Sequence, residues 1–402
     1  MRIKTSAISM LLAASWLWAS GLQSVAQSAA QTESIPGTTF TTLHSFSGAD
    51  GTKSFAGLLQ GKNGNLYGTT YYGGANNDGE IFQITTAGKL TVLHSFGGAD
   101  GEYSYAAPVQ GADGNFYGTT YLGGSRGDGT VFKMTPGGKL TTLHSFGGTD
   151  GSQPLAGLAA GSDGNFYGTT NLGGSHGDGV VFKVTPSGQF SVLHNFCSKA
   201  GCADGQNSYA GLIQATDGNL YGTTLAGGSQ GHGTVFKITK GGALTTLYSF
   251  CSQSACADGE FPQTGLVQAS NGNLYGETIL GGAYGSGTIF ELTLSGALTT
   301  LYSACSQSNC PDGNYLYAPL IQAKDGNLYG IMQIGGSNNS GTVFQITLSG
   351  ALTTLYSFCS QAACADGQYP AAGLVQATNG NLYGTTADGG ANGDGTVFRI
   401  AP

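Results

Sequence analysis

Hydrophobic and polar residues alternate in short runs along most of the chain, and glycine pairs or Asp-Gly dipeptides separate the runs. In 219–224 the alternation puts Leu220 and Tyr221 on opposite faces, and in 233–239 Val235 and Phe236 are separated in the same way. A period of two residues is typical of β-strands, and positive-φ residues such as glycine are typical of the tight turns between them. No segment after residue 38 has a sustained apolar period of 3.6 residues, so we expect almost no helix there.

The runs belong to a repeat that occurs seven times and is anchored by the motif Asn-Leu/Phe-Tyr-Gly. The motif starts at Asn65, Asn115, Asn165, Asn219, Asn273, Asn327 and Asn381, so the repeats are 50 or 54 residues long. Each repeat contains four β-like segments, exemplified by 211–215, 219–224, 233–239 and 244–250. Four strands at a period near 50 residues predict one blade of a β-propeller. The fold class is therefore all-β, with seven four-stranded blades.

The two ends of the repeat array complement each other. Residues 38–46 resemble a fourth strand without its first three, and residues 395–400 form a third strand without its fourth. An N-terminal strand that completes the C-terminal blade closes the ring and removes exposed sheet edges. The alternative is a linear β-solenoid, which has no need for complementary half-blades. We favour a single propeller domain over residues 38–402.

Composition fits this interpretation and narrows the choice of partners. The chain has 402 residues with 71 Gly, 40% hydrophobic and only 9% charged residues, and its formal net charge is −8 at pH 7. A mildly acidic chain without basic clusters is a poor ligand for nucleic acid, so we expect no nucleic-acid partner. We also expect no cofactor, no membrane span in the mature chain, and a monomer.

The first 26 residues have the pattern of a secretory signal peptide. Arg2 and Lys4 precede a short apolar stretch from Ile8 to Leu22, and small residues precede a cleavage site near Ala26. A transmembrane anchor is the alternative, but the apolar stretch is shorter than the roughly 20 residues that a membrane span needs. We expect residues 27–37 to be a short linker. The mature protein is then secreted, periplasmic or at the cell surface.

Cysteine usage agrees with export. The cysteines occur as four Cys-x4-Cys pairs: Cys197/Cys202, Cys251/Cys256, Cys305/Cys310 and Cys359/Cys364. Each pair lies in a loop that is four residues longer than its counterpart in the first repeats. An even count and local spacing in an exported chain predict that each pair forms a disulfide in its own loop. A metal site is the rival interpretation, but the pairs recur on different blades and no histidine lies inside the loops.

The units Asn-Leu-Tyr-Gly-Thr-Thr, Gly-Thr-Val-Phe-Lys-Ile-Thr and Leu-Thr-Thr-Leu-Tyr-Ser-Phe recur in order over residues 38–402. In these motifs the chain resembles the GloVer tandem repeats of bacterial exported "choice-of-anchor" proteins. The resemblance implies an exported surface or envelope protein. It supplies no established activity and no catalytic residues.

Candidate binding residues follow the Asp-Gly turns between blades. If the strands run from the innermost to the outermost, the fourth-to-first and second-to-third loops share one face of the propeller. An aromatic ring at this face could stack on a sugar. The alternative is packing between neighbouring blades, which we favour. The predicted ligand-binding residues are Tyr103, Tyr105, Tyr209, Phe261, Tyr315, Tyr317 and Tyr369, and Phe55 lies at an equivalent place.

Few residues have catalytic or metal-binding potential. The weak catalytic candidate is Glu277, which replaces the first Thr of Tyr-Gly-Thr-Thr without a visible partner carboxylate. The aspartate before each turn glycine and the tyrosine of the anchor motif occur in every repeat, so we interpret them as architectural. Calcium at Asp78, Asp128, Asp178 and Asp394 is weakly indicated, because His232, Ser286 and Ser340 replace the acid elsewhere. We therefore predict no metal site.

Three functions remain open. The first is a non-enzymatic binding or interaction scaffold with an extracellular glycan or protein as ligand. The second is a carbohydrate-active lyase or hydrolase that uses Glu277. The third is a structural component of the cell envelope. The uniform repeats without a reactive cluster favour the first.

Overall fold

The computed structural model describes residues 38–401. The predicted signal peptide (1–26) and linker (27–37) lie outside these residues. The described residues contain 28 β-strands in seven four-stranded antiparallel sheets. Three short 3-10 turns, at Ala200–Cys202, Ser254–Cys256 and Ala362–Cys364, are the helical elements of this part of the chain. No helix in 38–401 is long and apolar enough to cross a membrane.

Six of the seven blades each take four consecutive strands from the chain. Blade 1 contains β2 (Leu59–Gln60), β3 (Leu66–Thr70), β4 (Glu80–Ile84) and β5 (Leu90–Ser95). Blade 2 contains β6 (Val109–Gln110), β7 (Phe116–Thr120), β8 (Thr130–Met134) and β9 (Leu140–Ser145). Blade 3 contains β10 (Ala159–Ala160), β11 (Phe166–Thr169), β12 (Val180–Val184) and β13 (Phe190–Asn195). Blade 4 contains β14 (Ile213–Gln214), β15 (Leu220–Thr224), β16 (Thr234–Ile238) and β17 (Leu244–Ser249).

The remaining three blades follow the same plan. Blade 5 contains β18 (Val267–Gln268), β19 (Leu274–Thr278), β20 (Thr288–Leu292) and β21 (Leu298–Ser303). Blade 6 contains β22 (Ile321–Gln322), β23 (Leu328–Met332), β24 (Thr342–Ile346) and β25 (Leu352–Ser357). Blade 7 contains β26 (Val375–Gln376), β27 (Leu382–Thr386), β28 (Thr396–Ala401) and, from the other end of the chain, β1 (Thr39–Ser45). The seven-bladed propeller with a shared last blade is confirmed.

Blade 7 closes the ring through strand pairing. Thr39 pairs with Ala401 and Ser45 with Thr396 in an antiparallel register. Blade 7 also contacts blade 1, because the Thr378 N–H donates to Gln60 Oε1 at 2.8 Å and the Thr385 hydroxyl donates to the Ala56 carbonyl at 3.1 Å. The split blade therefore joins the ends of the array and completes the contact between the last and first blades.

A β-bulge interrupts the pairing of the third and fourth strands. In blade 4, Val235 pairs with Tyr248 but Phe236 pairs with Thr246, so one residue of β17 has no direct partner. The same shift occurs in all seven sheets. A bulge bends and twists the strand locally. Here it immediately precedes the loop that leads to the next blade.

The apolar core lies between neighbouring blades. Tyr67 of blade 1 is 1% exposed and its ring centroid lies 4.2 Å from that of Phe116 in blade 2. Tyr117 packs in the same way on Phe166, with centroids 4.0 Å apart. Each anchor tyrosine thus buries its ring against the following blade. Fully burying a large side chain stabilises the fold by about 1.5–3 kcal/mol, so these residues are architectural, as the sequence predicts.

A glutamine at the end of the first strand links adjacent blades at the other end of the sheets. Gln214 Oε1 accepts from the Ser162 N–H at 2.7 Å, and its Nε2 donates to the Gly218 carbonyl at 2.8 Å. Six blades have this glutamine, and blade 3 has Ala160 instead. Blade 3 therefore lacks both the bond that would link it to blade 2 and the bond within its own first turn.

Candidate functional site

Two sets of loops meet on one face of the propeller. We call the loop from a fourth strand to the first strand of the next blade a junction. The end of each junction forms a bridge with the second-to-third loop, as in the pairs Thr52/Tyr72 and Glu102/Leu122. The Gly74 N–H also donates to the Gly48 carbonyl at 2.9 Å. The predicted sharing of one face is thus observed, and we call it the junction face.

Each junction ends on a non-glycine residue with a left-handed backbone. The residues are Lys53, Tyr103, Gln153, Asn207, Phe261, Tyr315 and Tyr369, with φ between 53° and 60°. This conformation is unfavourable for a residue with a Cβ, so the surrounding structure has to hold it. In blade 2 the Tyr103 N–H donates to the Asp78 carbonyl at 2.9 Å, and in blade 5 the Phe261 N–H donates to the His232 carbonyl at 2.9 Å. The same bond recurs at Lys53, Gln153, Asn207 and Tyr369, and it fixes these residues beside the second-to-third loop of the preceding blade, whereas the Tyr315 N–H donates to Asn314 Oδ1 instead.

Aromatic residues gather on the junction face at the boundary of blades 1 and 2. The aromatic cluster consists of Phe55, Tyr71, Tyr72, Tyr103, Tyr105 and Tyr121. Tyr71 is its centre, with ring centroids 4.5 Å from Tyr72, 4.9 Å from Tyr103 and 4.6 Å from Tyr105. Tyr121 extends the cluster, because its ring lies edge-on to Tyr105 at 5.5 Å. Tilted and edge-on contacts at such distances are favourable aromatic geometries.

The cluster is partly buried and partly open. Tyr72 is 39% exposed, whereas the other five side chains are half-buried. Burial and a hydrogen bond with the Tyr105 side chain raise the pKa of Tyr71 far above its ordinary value, so its hydroxyl stays protonated. Burial also raises the pKa of Glu102, beside Asp78, at the edge of the cluster. The surface thus combines neutral phenol groups with two acids.

The other predicted binding residues lie apart from this cluster or at its margin. Burial raises the pKa of Tyr209 to about 12, and the Tyr121 and Tyr105 groups contribute to the shift, which places Tyr209 near the margin. Tyr315 and Tyr317 form a separate pair with centroids 6.0 Å apart. Phe261 lies against His232 at 5.2 Å, and the Tyr369 N–H donates to the Ser340 carbonyl at 2.8 Å. Of the predicted set, Tyr103 and Tyr105 belong to the aromatic cluster, in which both contact Tyr71.

Sequence reasoning missed Tyr71, Tyr72 and Tyr121. They come from the second-to-third loops, whereas the predicted residues come from junctions. The available signal was the loss of repeat symmetry at these positions. The residues that correspond to Tyr72 in the other blades are Leu122, Leu172, Ala226, Leu280, Ile334 and Asp388.

The aspartate of each junction accepts a hydrogen bond from the fourth strand. In the early blades the donor is histidine, as in His94 Nε2 to Asp100 Oδ2 at 2.8 Å. In blades 4 to 6 it is tyrosine, as in the Tyr248 hydroxyl to Asp258 Oδ2 at 2.8 Å. Histidine and tyrosine therefore both donate a hydrogen bond to the junction aspartate. Burial lowers the pKa of His144 in spite of the negative charge of Asp150. These groups hold the loops in place.

Glu277 lies in the core rather than on the junction face. Its side chain is 1% exposed and neither carboxylate oxygen has a hydrogen-bond partner. In five other blades the equivalent residue is a threonine whose hydroxyl donates to a carbonyl of the next blade, as from Thr223 to Thr264 at 3.1 Å. Burial raises the pKa of Glu277 well above its ordinary value. Burial thus favours the neutral acid and keeps the carboxyl away from solvent, which counts against direct contact with a substrate.

The four cysteine pairs form disulfides within their own loops: Cys197–Cys202, Cys251–Cys256, Cys305–Cys310 and Cys359–Cys364. Disulfides persist in oxidising compartments, so they indicate export. Two loops also receive a possible metal ligand from the second-to-third loop, His232 beside Cys251 and Cys256, and Asp178 beside Cys197 and Cys202. Among the four acids considered for calcium, Asp178 alone belongs to such a group in 38–401.

Comparisons with known proteins place the chain in a family and a fold. A family model described as the Gloeobacter/Verrucomicrobia repeat matches residues 33–203 and 198–398, which confirms the predicted relationship with GloVer repeats. No curated protein matches the sequence.

Among solved structures, the extracellular domain of a protein described as a hybrid two component system of B. thetaiotaomicron has a TM-score of 0.58 at 10% identity, covering 89% of this chain and 39% of that one. A puromycin-hydrolyzing peptidase of Mycobacterium tuberculosis has a TM-score of 0.52 at 12% identity, covering 91% and 55%. The chain thus spans well under two thirds of either protein. At these identities the likeness shows the fold alone.

Proposed function

The chain belongs to the Gloeobacter/Verrucomicrobia repeat family, and from this premise we propose that it is an exported binding protein without catalytic activity. The observation that carries the proposal is the aromatic cluster, which concentrates six rings on the junction face at one of seven blade boundaries. If the rings served only to pack blades, the other boundaries would need a comparable set. Blades 3 and 7 instead have Leu155 and Ala371 where the cluster has Phe55 and Tyr105.

The chemistry of the cluster favours a glycan as the ligand. Tyrosine combines a flat apolar face with a polar hydroxyl, and sugars present apolar C–H faces edged by hydroxyl groups. Tyr72 and Tyr103 offer partly exposed rings 5.4 Å apart, and Glu102 immediately precedes Tyr103 in the chain. A neutral or basic oligosaccharide fits this surface better than an acidic one, because Asp78 and Glu102 would repel an anionic sugar.

Export and location form part of the same proposal. The four disulfides and the predicted signal peptide, with cleavage near Ala26, support a secreted, periplasmic or cell-surface protein. We propose that the mature chain is a monomer whose junction face is exposed to solvent. N-terminal sequencing of the exported protein tests the cleavage site, and a Gln27 N-terminus is the expected result.

The binding proposal is tested with a glycan array, followed by titration calorimetry of the best ligand with variants. We expect Tyr72→Leu and Tyr103→Asn to weaken binding about fivefold each, since an aromatic contact contributes roughly 1 kcal/mol. Leucine is the residue of blades 2, 3 and 5 at the first position, and Asn207 has the same left-handed backbone as Tyr103, so both changes preserve the loop.

Tyr315→Asn is the matched control, because Tyr315 has the same backbone conformation but lies outside the cluster. It should leave binding unchanged. Equal losses in Tyr103→Asn and Tyr315→Asn would show that the cluster is not the site. An array without any ligand above background would refute the glycan assignment. Retention on an extracellular protein in a pull-down would then identify a protein as the ligand.

A further inference from the structure

A histidine from one loop lies against a disulfide from another at the junction between blades 4 and 5. His232 belongs to the second-to-third loop of blade 4 and pairs with Gly227 across that loop. The potential ligand atoms of His232, Cys251 and Cys256 all lie within 4.8 Å of one another. All three residues are half-buried, so solvent and small ions can reach them. The sequence hides this grouping, because no histidine lies inside the cysteine loop itself.

The imidazole of His232 lies between an acid and an aromatic ring. Glu260 Oε2 is at ion-pair distance, 2.7 Å from the buried Nδ1 of His232, although the geometry is not that of a hydrogen bond, and the Phe261 ring lies 5.2 Å from the imidazole ring. The His232 carbonyl also accepts the Phe261 N–H at 2.9 Å. A carboxylate on one imidazole nitrogen is the usual outer partner of a metal-binding histidine, because it fixes the ring and leaves the other nitrogen for the metal.

The other three disulfide junctions lack this combination. The residues that correspond to His232 are Asp178, Ser286 and Ser340, and those that correspond to Glu260 are Gln206, Asn314 and Gln368. A histidine and its carboxylate partner thus occur together at one disulfide junction. Two cysteine sulfurs and an imidazole are the ligand set that Zn²⁺ prefers, with a fourth position left for water.

We propose that the Cys251–Cys256 loop, once its disulfide is reduced, binds a thiophilic divalent cation such as Zn²⁺ through Cys251, Cys256 and His232. The reductant is a dithiol, which transfers two electrons and two protons to the disulfide and becomes a disulfide itself. The metal then displaces the two thiol protons and binds the thiolates, since the thiolate is the ligand form of cysteine. The oxidised loop has no thiolate and binds no metal.

The backbone of the closed loop agrees with a bond that can open. Cys251 and Cys256 have φ values of 59° and 51°, in the left-handed region. In the short junctions the position of Cys256 is occupied by Gly48, Gly98 and Gly148. Cysteine is disfavoured in this conformation, and reduction frees both residues to relax.

The experiment uses the mature chain treated with an immobilised dithiol, separated from it without oxygen, and titrated with Co²⁺ as a spectroscopic substitute for Zn²⁺. We expect one tightly bound ion per chain, with thiolate charge-transfer absorption and the visible bands of a tetrahedral site. Competition with Zn²⁺ should remove both signals. The oxidised chain should show neither signal.

His232→Ser, which introduces the residue of blades 5 and 6, should abolish the absorption, and Glu260→Gln should weaken the affinity about 10–100-fold. Ser substitution of both Cys305 and Cys310 is the matched control and should change nothing. No bound ion, unaltered binding in His232→Ser, binding to the oxidised chain, or one ion for each of the four reduced loops would each overturn the proposal. Far-UV circular dichroism of every variant checks that the β-sheet signal is retained.

Discussion

The short junctions and the long junctions form the same left-handed turn by different means. The three short junctions, 46–51, 96–101 and 146–151, use a glycine for the left-handed turn, as at Gly48 with φ 73°. The four long junctions use a cysteine at that place, as at Cys202 with φ 53°, and close it with a disulfide. The crosslink holds a conformation that glycine adopts freely.

The difference extends to the junction aspartate. The side chains of Asp50, Asp100 and Asp150 are 24–32% exposed, whereas Asp204, Asp258 and Asp366 are fully buried. The added residues supply further donors, because Asp258 accepts from the Ser252 N–H and hydroxyl as well as from Tyr248. In the longer loops the junction aspartate therefore belongs to a buried hydrogen-bond network, whereas in the shorter loops its hydrogen bonds are partly exposed to solvent. In one long junction the donor is still a histidine, His194, so the longer loop does not require a tyrosine donor.

The largest effect should come from deleting a buried junction aspartate. Asp258→Ala leaves the Tyr248 hydroxyl and two backbone N–H groups without their acceptor, and we expect a loss of about 3 kcal/mol in the free energy of unfolding. The same change at Asp100 should cost about 1 kcal/mol, because solvent replaces its bonds. Urea unfolding of both variants measures the contrast. Equal losses would show that burial does not distinguish the two kinds of junction.

Removing a crosslink should have the next largest effect. Cys251→Ala combined with Cys256→Ala should lower the free energy of unfolding by about 2 kcal/mol, since the unfolded chain regains the freedom of a short loop. If the left-handed turn matters as we infer, placing glycine instead of alanine at position 256 should recover about 1 kcal/mol. Thermal unfolding of the two double variants provides the comparison. Identical midpoints would contradict the role assigned to the turn.

Glu277→Thr should stabilise the protein, by about 1–2 kcal/mol at pH 7, because it restores the hydroxyl found in five other blades and removes a buried acid without a partner. The gain should depend on pH. Burial raises the folded-state pKa of Glu277, so the contribution of this residue to stability is most favourable below the unfolded pKa of about 4.3. That contribution should then fall with rising pH until the folded-state pKa is reached.

Stability curves measured against pH test this directly, with Glu277→Gln as the control that keeps the size of the side chain. Both variants should lack the decline that begins above about pH 4.3. A parallel curve for wild type and variants would mean that Glu277 is ionised in the folded protein.

The smallest effect should come from completing the glutamine links between blades. Ala160→Gln places an acceptor for the Ala112 N–H and a donor for the Gly164 carbonyl, as Gln214 does one blade later. We expect a gain of about 0.5–1 kcal/mol at the boundary of blades 2 and 3, which lies among the short junctions. Ala160→Glu is the control, because it can accept but cannot donate. Urea unfolding should show that the glutamine variant is more stable than the glutamate variant. A reversed order would refute the formation of both hydrogen bonds.

The strand order was predictable because the repeat fixes it. The prediction of a first strand over 211–215 was too long, since Ile213–Gln214 alone pair with β15. Gly211 precedes the paired residues, and Ala215 already forms the turn to Asn219. Phe250 was likewise predicted to belong to the fourth strand, but it leaves the sheet and packs against Phe290 in the core.

The candidate sites were less predictable, because loops that are distant in sequence build them. The aromatic cluster combines Tyr103 from a junction with Tyr71 from the preceding blade, 32 positions earlier. Their contact depends on the twist and spacing of two blades, which no local pattern encodes. The grouping of His232 with Cys251 and Cys256 has the same origin.

The shared blade has a consequence for the order in which the protein is made. β1 leaves the ribosome first, but its partner β28 follows about 350 residues later. At synthesis rates of about 5–20 residues per second, β1 waits roughly 20–70 s with an unpaired edge. Contacts between such distant segments also form slowly. The pairing of β1 with β28 is thus the last step to occur. The first strand, Thr39–Ser45, contains three threonines and a serine, and this polar composition suits a strand that stays exposed to water until its partner is made.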